Sequence, residues 1–463
     1  MLRSIVILHY AAPPIVGGVE STIYHHARLL TQAGYAVKVV AGRGAPFDER
    51  VAVEIAPELD SRHPDVLAVK AQLDAGRVTD DFHRLTDAIQ QTLRRALADS
   101  DVCIVHNAIT LHKNLSLTAA LHRLITSGDG VQDRPFDPST SLRAGSAQDR
   151  PFDPSTSLRA GSAQDRPFDR AQDRPRGWIA WHHDFAWLRP QYQHELHAGY
   201  PWDLLQQPWP GVVQVTVSQP QREELADLYG LPQEAIHVVT PGVNPAAFFR
   251  LTPTAHWLAE TLDLWAGGPV LLLPARITRR KNVELAIRIV GALQIQGVPA
   301  RLIVTGPPGP HNPANVAYLQ SLQDLRRELG IEELVIFLYE CRDQTGRPLE
   351  VGDQVMADLY QMADALLFPS RQEGFGIPML EAGLARLPIF CADIPPFRVT
   401  GEGAAHFFSL GEEPMVIARR IAAVLREDRA LAMRQRVAGH YTWRRVLRDK
   451  LEPLILSVLS EEG

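Results

Sequence analysis

The sequence predicts an α/β protein made of two doubly wound, Rossmann-like parallel-sheet domains. Three observations carry that prediction. The chain has 463 residues, beyond the length at which a single hydrophobic core stops growing. Short β-branched and leucine-rich runs alternate with longer helical patterns, as repeated βαβ units require. The residues that follow those runs are chemically distinctive, and an open parallel sheet binds its ligands beyond the carboxyl ends of its strands.

Taken in order, residues 4–8 form a compact apolar run that reads as a buried strand, ending in His9-Tyr10. Gly17-Gly18 opens a helix to about residue 32, and residues 37–40 form the next strand. The spacing G-x-G-x-x-G is absent here, so a dinucleotide-dependent oxidoreductase loses its main support. One long, mostly polar helical region is expected over 65–97, then a strand at 102–105 ending at His106-Asn107. Residues 132–147, QDRPFDPSTSLRAGSA, recur letter for letter at 148–163, and a third copy decays through 176. The unit lacks the apolar face that stacked repeats bury, so 131–176 is expected to be a disordered, unfolded surface insert with no catalytic part. Strands resume at 178–181, before His182-His183-Asp184, and at 212–217 and 236–239. Five of the eight tryptophans lie between Trp178 and Trp209, and packing of loops is the reading preferred over stacking on sugars.

The first domain is placed at 1–244, the second at 245–440, and a closing helical segment at 441–463. Strands of the second domain are expected at 270–273, 301–305, 334–338, 365–368 and 389–391, with helices at 283–293 and 316–329 among those between them. Helical runs at 414–440 and 442–459 close the chain.

Composition narrows the function. With 45% hydrophobic and 22% charged residues, the chain has ordinary soluble globular make-up. A formal charge of -6 argues against nucleic acid as partner. Cys103, Cys341 and Cys391 are far apart and without metal-like spacing, which suits a reduced compartment. The first apolar run is too short for a signal peptide, and nothing approaches the ~18 apolar residues of a membrane span. A cytoplasmic protein with no transmembrane segment is expected, with peripheral membrane contact left open.

The most informative stretch is 365–382, ALLFPSRQEGFGIPMLEA. A buried strand runs into a turn bearing Glu373, Gly374, Phe375 and Gly376, and a helix follows with Pro378 near its first position. The glycines allow close approach of a ligand, and the helix start offers free amides. Glu373 on the turn and Glu381, expected in the first helical turn, suit hydroxyl groups, which donate to carboxylates. A molecule with phosphate in the middle and hydroxyls at either end is a nucleotide sugar. A second signal is Arg276-Ile-Thr-Arg279-Arg280-Lys281-Asn282, where four cations precede a helix whose dipole disfavours them. A bound diphosphate held by Arg276 and Lys281 is the simplest compensation. Asp99-Ser-Asp101 precedes a strand, at the wrong end of a sheet for a metal-binding pair, so no metal and no cofactor are expected.

Glu373, seven residues and Glu381, within EGFGIPMLEA, resemble the donor-site signature of retaining glycosyltransferases of the GT-B fold, family 4. The resemblance covers nearly the whole chain except the insert. It implies two Rossmann-like domains facing a cleft, Glu373 on the transferred sugar, Glu381 on the ribose, and Arg276 and Lys281 on the donor diphosphate. It also implies that the final helix crosses back onto the first domain, where Trp443 matches the family's usual tryptophan. His183 resembles the family's histidine near the transferred sugar, with the adjacent His182 as its alternative. Gly17, Gly18, Gly374, Phe375 and Gly376 complete the expected donor site, and His9, His106, Asn107 and Asp184 the acceptor side. Ala275, Asn282 and Arg386 depart from the family, which commonly has glycines there. The implied activity is metal-independent transfer of a hexose from a GDP-mannose- or UDP-glucose-type donor, with retention. The acceptor is a hydroxyl of a sugar phosphate, small metabolite or lipid-linked saccharide. A nucleotide-sugar epimerase or hydrolase, or an inactive nucleotide-sugar-binding protein, are the alternatives on the same fold.

Overall fold

The computed structural model describes residues 3–126, 175–265, 268–309 and 314–460. The repeat insert expected at 131–176 lies almost wholly outside them. The chain divides into two compact units: Met1–Gly242 with Trp443–Gly463, and Val243–Thr442.

The first unit is built on a seven-stranded sheet: β1 Ser4–Ala11, β2 Ala36–Arg43, β3 Ala52–Ile55, β4 Val102–His106, β5 Gly177–His182, β6 Val212–Thr216 and β7 Ile236–Val238. All pairings are parallel, in the order β3-β2-β1-β4-β5-β6-β7. Central strands β4 and β5 are buried along their whole length, which is why they read as continuous apolar runs rather than alternating ones. The region expected as one helix over 65–97 is two, Pro64–Asp74 and Asp80–Leu97. The break falls at Gly76, whose φ of 71° an L side chain rarely adopts. After Trp443–Val446 and a single π-helical turn, the helix Glu452–Ser460 closes this unit. Trp443, Val446, Leu451, Leu454 and Ile455 are buried in one apolar cluster with Ile5, Ile7 and Ile23.

The second unit carries β8 Val270–Leu273, β9 Arg301–Val304, β10 Val335–Phe337, β11 Ala365–Phe368, β12 Ile389–Ala392 and β13 His406–Phe408. Again every pairing is parallel, in the order β10-β9-β8-β11-β12-β13. The run expected to be helical over 414–440 breaks at Asp428, whose side chain accepts from the backbone N–H groups of Ala430 and Leu431 and so starts a new helix. In both sheets the strand order reverses once, between β1 and β4 and between β8 and β11. Such switch points open a crevice beyond the strand ends. His9 and His106 stand at the first; Arg276 and Glu373 follow the strands of the second.

Candidate active site

The second unit's switch point is stitched from two loops. After β8 the chain passes Arg276, turns through Arg279–Lys281 and enters the helix Val283–Ile295 at Asn282. Asn282 has φ 54°, in the left-handed region. Asparagine tolerates that conformation better than most residues, which is how the chain manages without glycine there. Its Nδ2 donates to the Pro369 carbonyl at 3.1 Å and its Oδ1 accepts from Arg371 at 2.9 Å. Gly306, after β9, presses against this path: a Cβ would lie 2.6 Å from the Ala275 carbonyl oxygen and the Arg276 Cα. Only glycine lets β9 hold the Arg276 backbone so closely.

Glu373 lies across the cations of that loop. Arg280 donates to its Oε2 at 2.9 Å and to the Gln372 carbonyl at 3.0 Å, while Lys281 pairs with its Oε1. Burial pushes the Glu373 carboxyl up, but Lys281 and Arg280 outweigh it and hold it below the usual carboxylate range. The cations expected to need a bound anion are therefore offset in part by this chain's own carboxylate. Arg279 lies 5.0 Å from the centre of the Tyr318 ring. Arg276 is exposed and makes no hydrogen bond or ion pair among the described residues.

Glu381 falls in the second turn of the helix Ile377–Leu384, not the first. That turn places its carboxylate beside Tyr360, whose hydroxyl donates to it at 2.6 Å. Tyr360 was not singled out in the sequence, since an aromatic inside a helix reads as core. Arg276 and Glu381 line one cavity of about 640 Å³ with Gly306, Leu338, Tyr339 and Met356. Glu373 and Lys281 are not among its lining residues. Gly376 caps the helix at φ 99°, and a Cβ there would meet the Phe397 ring at 2.9 Å. Gly374 and Phe375 are exposed beside it. Arg386, like Asn282, takes the left-handed conformation itself, at φ 60°.

In the first unit, His9, Gly17, Gly18 and Asn107 line a cavity of about 830 Å³ with Arg43, Arg62, Lys70 and Lys113. Those four cations were not found from the sequence, because basic residues on loops are too common to carry a signal. Arg43 is paired with Asp60, and Lys70 with Asp74 and Glu195. Arg62 and Lys113 make no ion pair among the described residues and are exposed. Glu20 folds back over the helix start, so that a Cβ on Gly17 would lie 2.0 Å from its Oε2. A larger residue at 17 would displace that carboxylate.

The remaining predicted residues sit outside this lining. His106 is fully buried beneath it. Asp184 pairs with Arg189 at 2.6 Å and accepts from its own loop. His182 is also fully buried, with Nδ1 3.1 Å from Thr110 and Nε2 2.8 Å from Gln214. His183 is half-buried, its backbone N–H donating to Asn107 Oδ1 at 2.8 Å and its Nε2 3.1 Å from His106 Nδ1. Burial lowers His9 to about 4 and His183 to about 3, so both imidazoles are neutral near pH 7. Four of the clustered tryptophans, Trp178, Trp181, Trp202 and Trp209, are buried as packing elements. Asp101 pairs with the start of β1, accepting from the Ser4 backbone at 2.7 Å.

Comparison with known proteins turns on the second unit. Residues 263–439 match the family model described as Glycosyl transferases group 1. This stretch is a group 1 glycosyl transferase domain. A D-inositol 3-phosphate glycosyltransferase of Thermobispora bispora is 32% identical over 216 residues, 46% of this chain and 47% of that protein. Its counterpart from Nocardia farcinica is 29% identical over 241 residues, 50% of each. The chain thus matches about half the length of these curated relatives. A solved glycosyltransferase from Rickettsia africae aligns over 99% of both chains at 13% identity, with a TM-score of 0.33, too low to add to the sheet topology. The group 1 match spans Arg276, Lys281, Glu373 and Glu381, and leaves the cavity of the first unit outside it. No helix among the described residues is long and apolar enough to cross a membrane.

Proposed function

We propose that the protein is a retaining glycosyltransferase that moves a hexose from a nucleoside diphosphate sugar to a hydroxyl of an anionic acceptor. The observation that carries the proposal is the pairing of Arg276 and Glu381 in one cavity at the second switch point, inside the group 1 domain. An unpaired guanidinium suits a diphosphate oxygen, and a carboxylate within the same hollow suits the hydroxyls of a ribose.

Cleavage of the sugar–phosphate bond develops negative charge on the leaving diphosphate and positive charge on the sugar. Arg276 and Lys281 stabilise the first, the kind of preorganised electrostatic contribution that is usually the largest in catalysis. Glu373, held ionised by Lys281 and Arg280, orients the sugar hydroxyls. Attack from the face the diphosphate leaves, with a phosphate oxygen taking the acceptor's proton, gives retention without a carboxylate nucleophile. Three cationic side chains, Arg276, Arg280 and Lys281, supply the positive charge this chemistry requires, so the reaction is proposed to need no catalytic metal.

The acceptor is proposed from the first unit. Arg62 and Lys113 present uncommitted positive charge in a cavity of a chain whose net charge is -6. The names of the relatives specify D-inositol 3-phosphate, and a phosphorylated polyol fits such a cavity. The test is turnover of UDP-glucose, UDP-N-acetylglucosamine and GDP-mannose, each with inositol phosphate, with inositol and without acceptor, in the presence and absence of chelator. Glycosylated inositol phosphate of unchanged anomeric configuration is the expected product. Sugar that is only hydrolysed or epimerised removes the transfer reading. Equal use of inositol removes the anionic acceptor, and loss of turnover with chelator removes metal independence.

A further inference from the structure

Four imidazoles crowd the carboxyl ends of β1, β4 and β5, and their hydrogen bonds constrain one another. His9 Nδ1 lies 2.9 Å from the backbone carbonyl oxygen of His106. A carbonyl only accepts, so the proton of that bond sits on His9 Nδ1. Burial keeps His9 neutral, so its Nε2 carries a lone pair, and His9 lines the cavity.

The ring of His106 makes the second link. Its Nδ1 is 3.1 Å from His183 Nε2, and its own Nε2 is buried without a partner among the described residues. One proton lies between the two rings. If His183 supplied it, neutral His106 would carry its remaining hydrogen on the buried Nε2, and a buried N–H with no acceptor is rarer than an under-used acceptor. The proton is therefore on His106 Nδ1, and His183 Nε2 accepts it. Neutral His183 then bears its hydrogen on Nδ1. The ring of Trp181, stacked on His106 with centroids 5.4 Å apart, holds the His106 plane in place, with the His26 ring tilted beside it at 6.1 Å.

We propose that His106 is a positioning residue that commits two histidines to opposite roles: His9 offers a lone pair at Nε2 to a hydroxyl in the cavity, and His183 offers an N–H at Nδ1. At His9 the lone pair can receive a hydrogen bond from a hydroxyl in the cavity, a match for a polyol, while His183 stands outside that lining. Its use in catalysis rests on the glycosyl-transfer reading, but the tautomers do not.

The full-length protein labelled with 15N, examined by long-range proton–nitrogen correlation of its histidine rings, tests both links. His9→Gln and His183→Gln supply the assignments. Both rings are expected to be protonated at Nδ1 and bare at Nε2. In His106→Phe the backbone carbonyl remains, so His9 keeps its tautomer while His183 becomes a mixture. His106→Asn, which restores a donor, returns His183 to one form. The phenylalanine variant should also lose turnover on the order of tenfold at unchanged donor KM, one hydrogen bond's worth, with recovery in His106→Asn. A wild-type His183 protonated at Nε2, or a His183 tautomer indifferent to His106→Phe, overturns the proposal. If His106→Phe does not fold, the wild-type spectrum decides alone. Correct tautomers without any sugar transfer would instead defeat the function proposed above.

Discussion

The two switch points hold their polar groups in order in opposite ways. In the second unit, charge is offset in part within the site: Glu373 lies against Lys281 and Arg280. In the first, the buried groups at the strand ends are neutral imidazoles, and the cations Arg62 and Lys113 are left exposed. A carboxylate held between cations stays ionised and ordered before any ligand arrives. Buried histidines achieve order by staying uncharged, which ties the first unit's integrity to pH.

The largest expected effect comes from breaking that offset. Glu373→Ala should lower turnover by about 10²–10³-fold, as loss of a transition-state contact typically does, and should lower the thermal midpoint of a protein that still folds, because Lys281, its side chain 13% exposed, loses its partner. Steady-state kinetics alongside a melting curve checks it; turnover within threefold of wild type would take Glu373 out of the mechanism.

Acid should separate the units next. His9 and His182 are lowered to about 4 and His26 and His183 to about 3 from 6.5, each first by burial. The unfolded chain then takes up protons that the folded chain refuses. Stability is complete above about pH 6.5 and falls as pH drops toward the folded values. At pH 5 each fully buried imidazole costs on the order of 2 kcal/mol. The described histidines of the second unit, His256, His406 and His440, are not buried. Hydrogen exchange at pH 5 against pH 8 should show β1, β4 and β5 opening before β8 and β11; equal loss of protection in both sheets would erase the contrast.

A smaller effect tests the exposed cations. Arg62→Ala or Lys113→Ala should raise KM for a phosphorylated acceptor about tenfold, the size of one charge-assisted contact, and leave donor KM unchanged. The smallest concerns backbone alone. Arg386→Gly removes a side chain from φ 60° and should stabilise the second unit by about 1 kcal/mol, read as a shift in its denaturation midpoint.

The same contrast governs what the sequence makes legible. Central strands such as β4 and β11 are buried on both faces, so their apolar runs betray them. The strands missed, β3 and β13, are short, partly exposed edges, Ala52–Ile55 and His406–Phe408, with mixed polarity. Lys281 and Glu373 are visible because their residue types contradict a structural surface, cations before a helix and a carboxylate on a glycine turn. Tyr360 is invisible because its hydroxyl's partner, Glu381, is distant in sequence. The first cavity is harder still: Arg62 and Lys113 gain meaning only when the sheet brings together the loops that follow β3 and β4. Among His9, His106, His182 and His183, sequence gives identical residue types, and only burial and hydrogen-bond partners distinguish a cavity wall from its support.

The central claim is that the cavity shared by Arg276 and Glu381 binds a nucleoside diphosphate. Titration calorimetry with UDP and GDP on the wild-type protein and on Arg276→Ala measures it directly. One nucleotide should bind at a single site, with affinity falling ten- to about a hundredfold in the variant, as loss of a hydrogen bond to a charged group predicts. Binding of equal strength to both proteins, or no binding of either nucleotide to the wild type, would contradict the account.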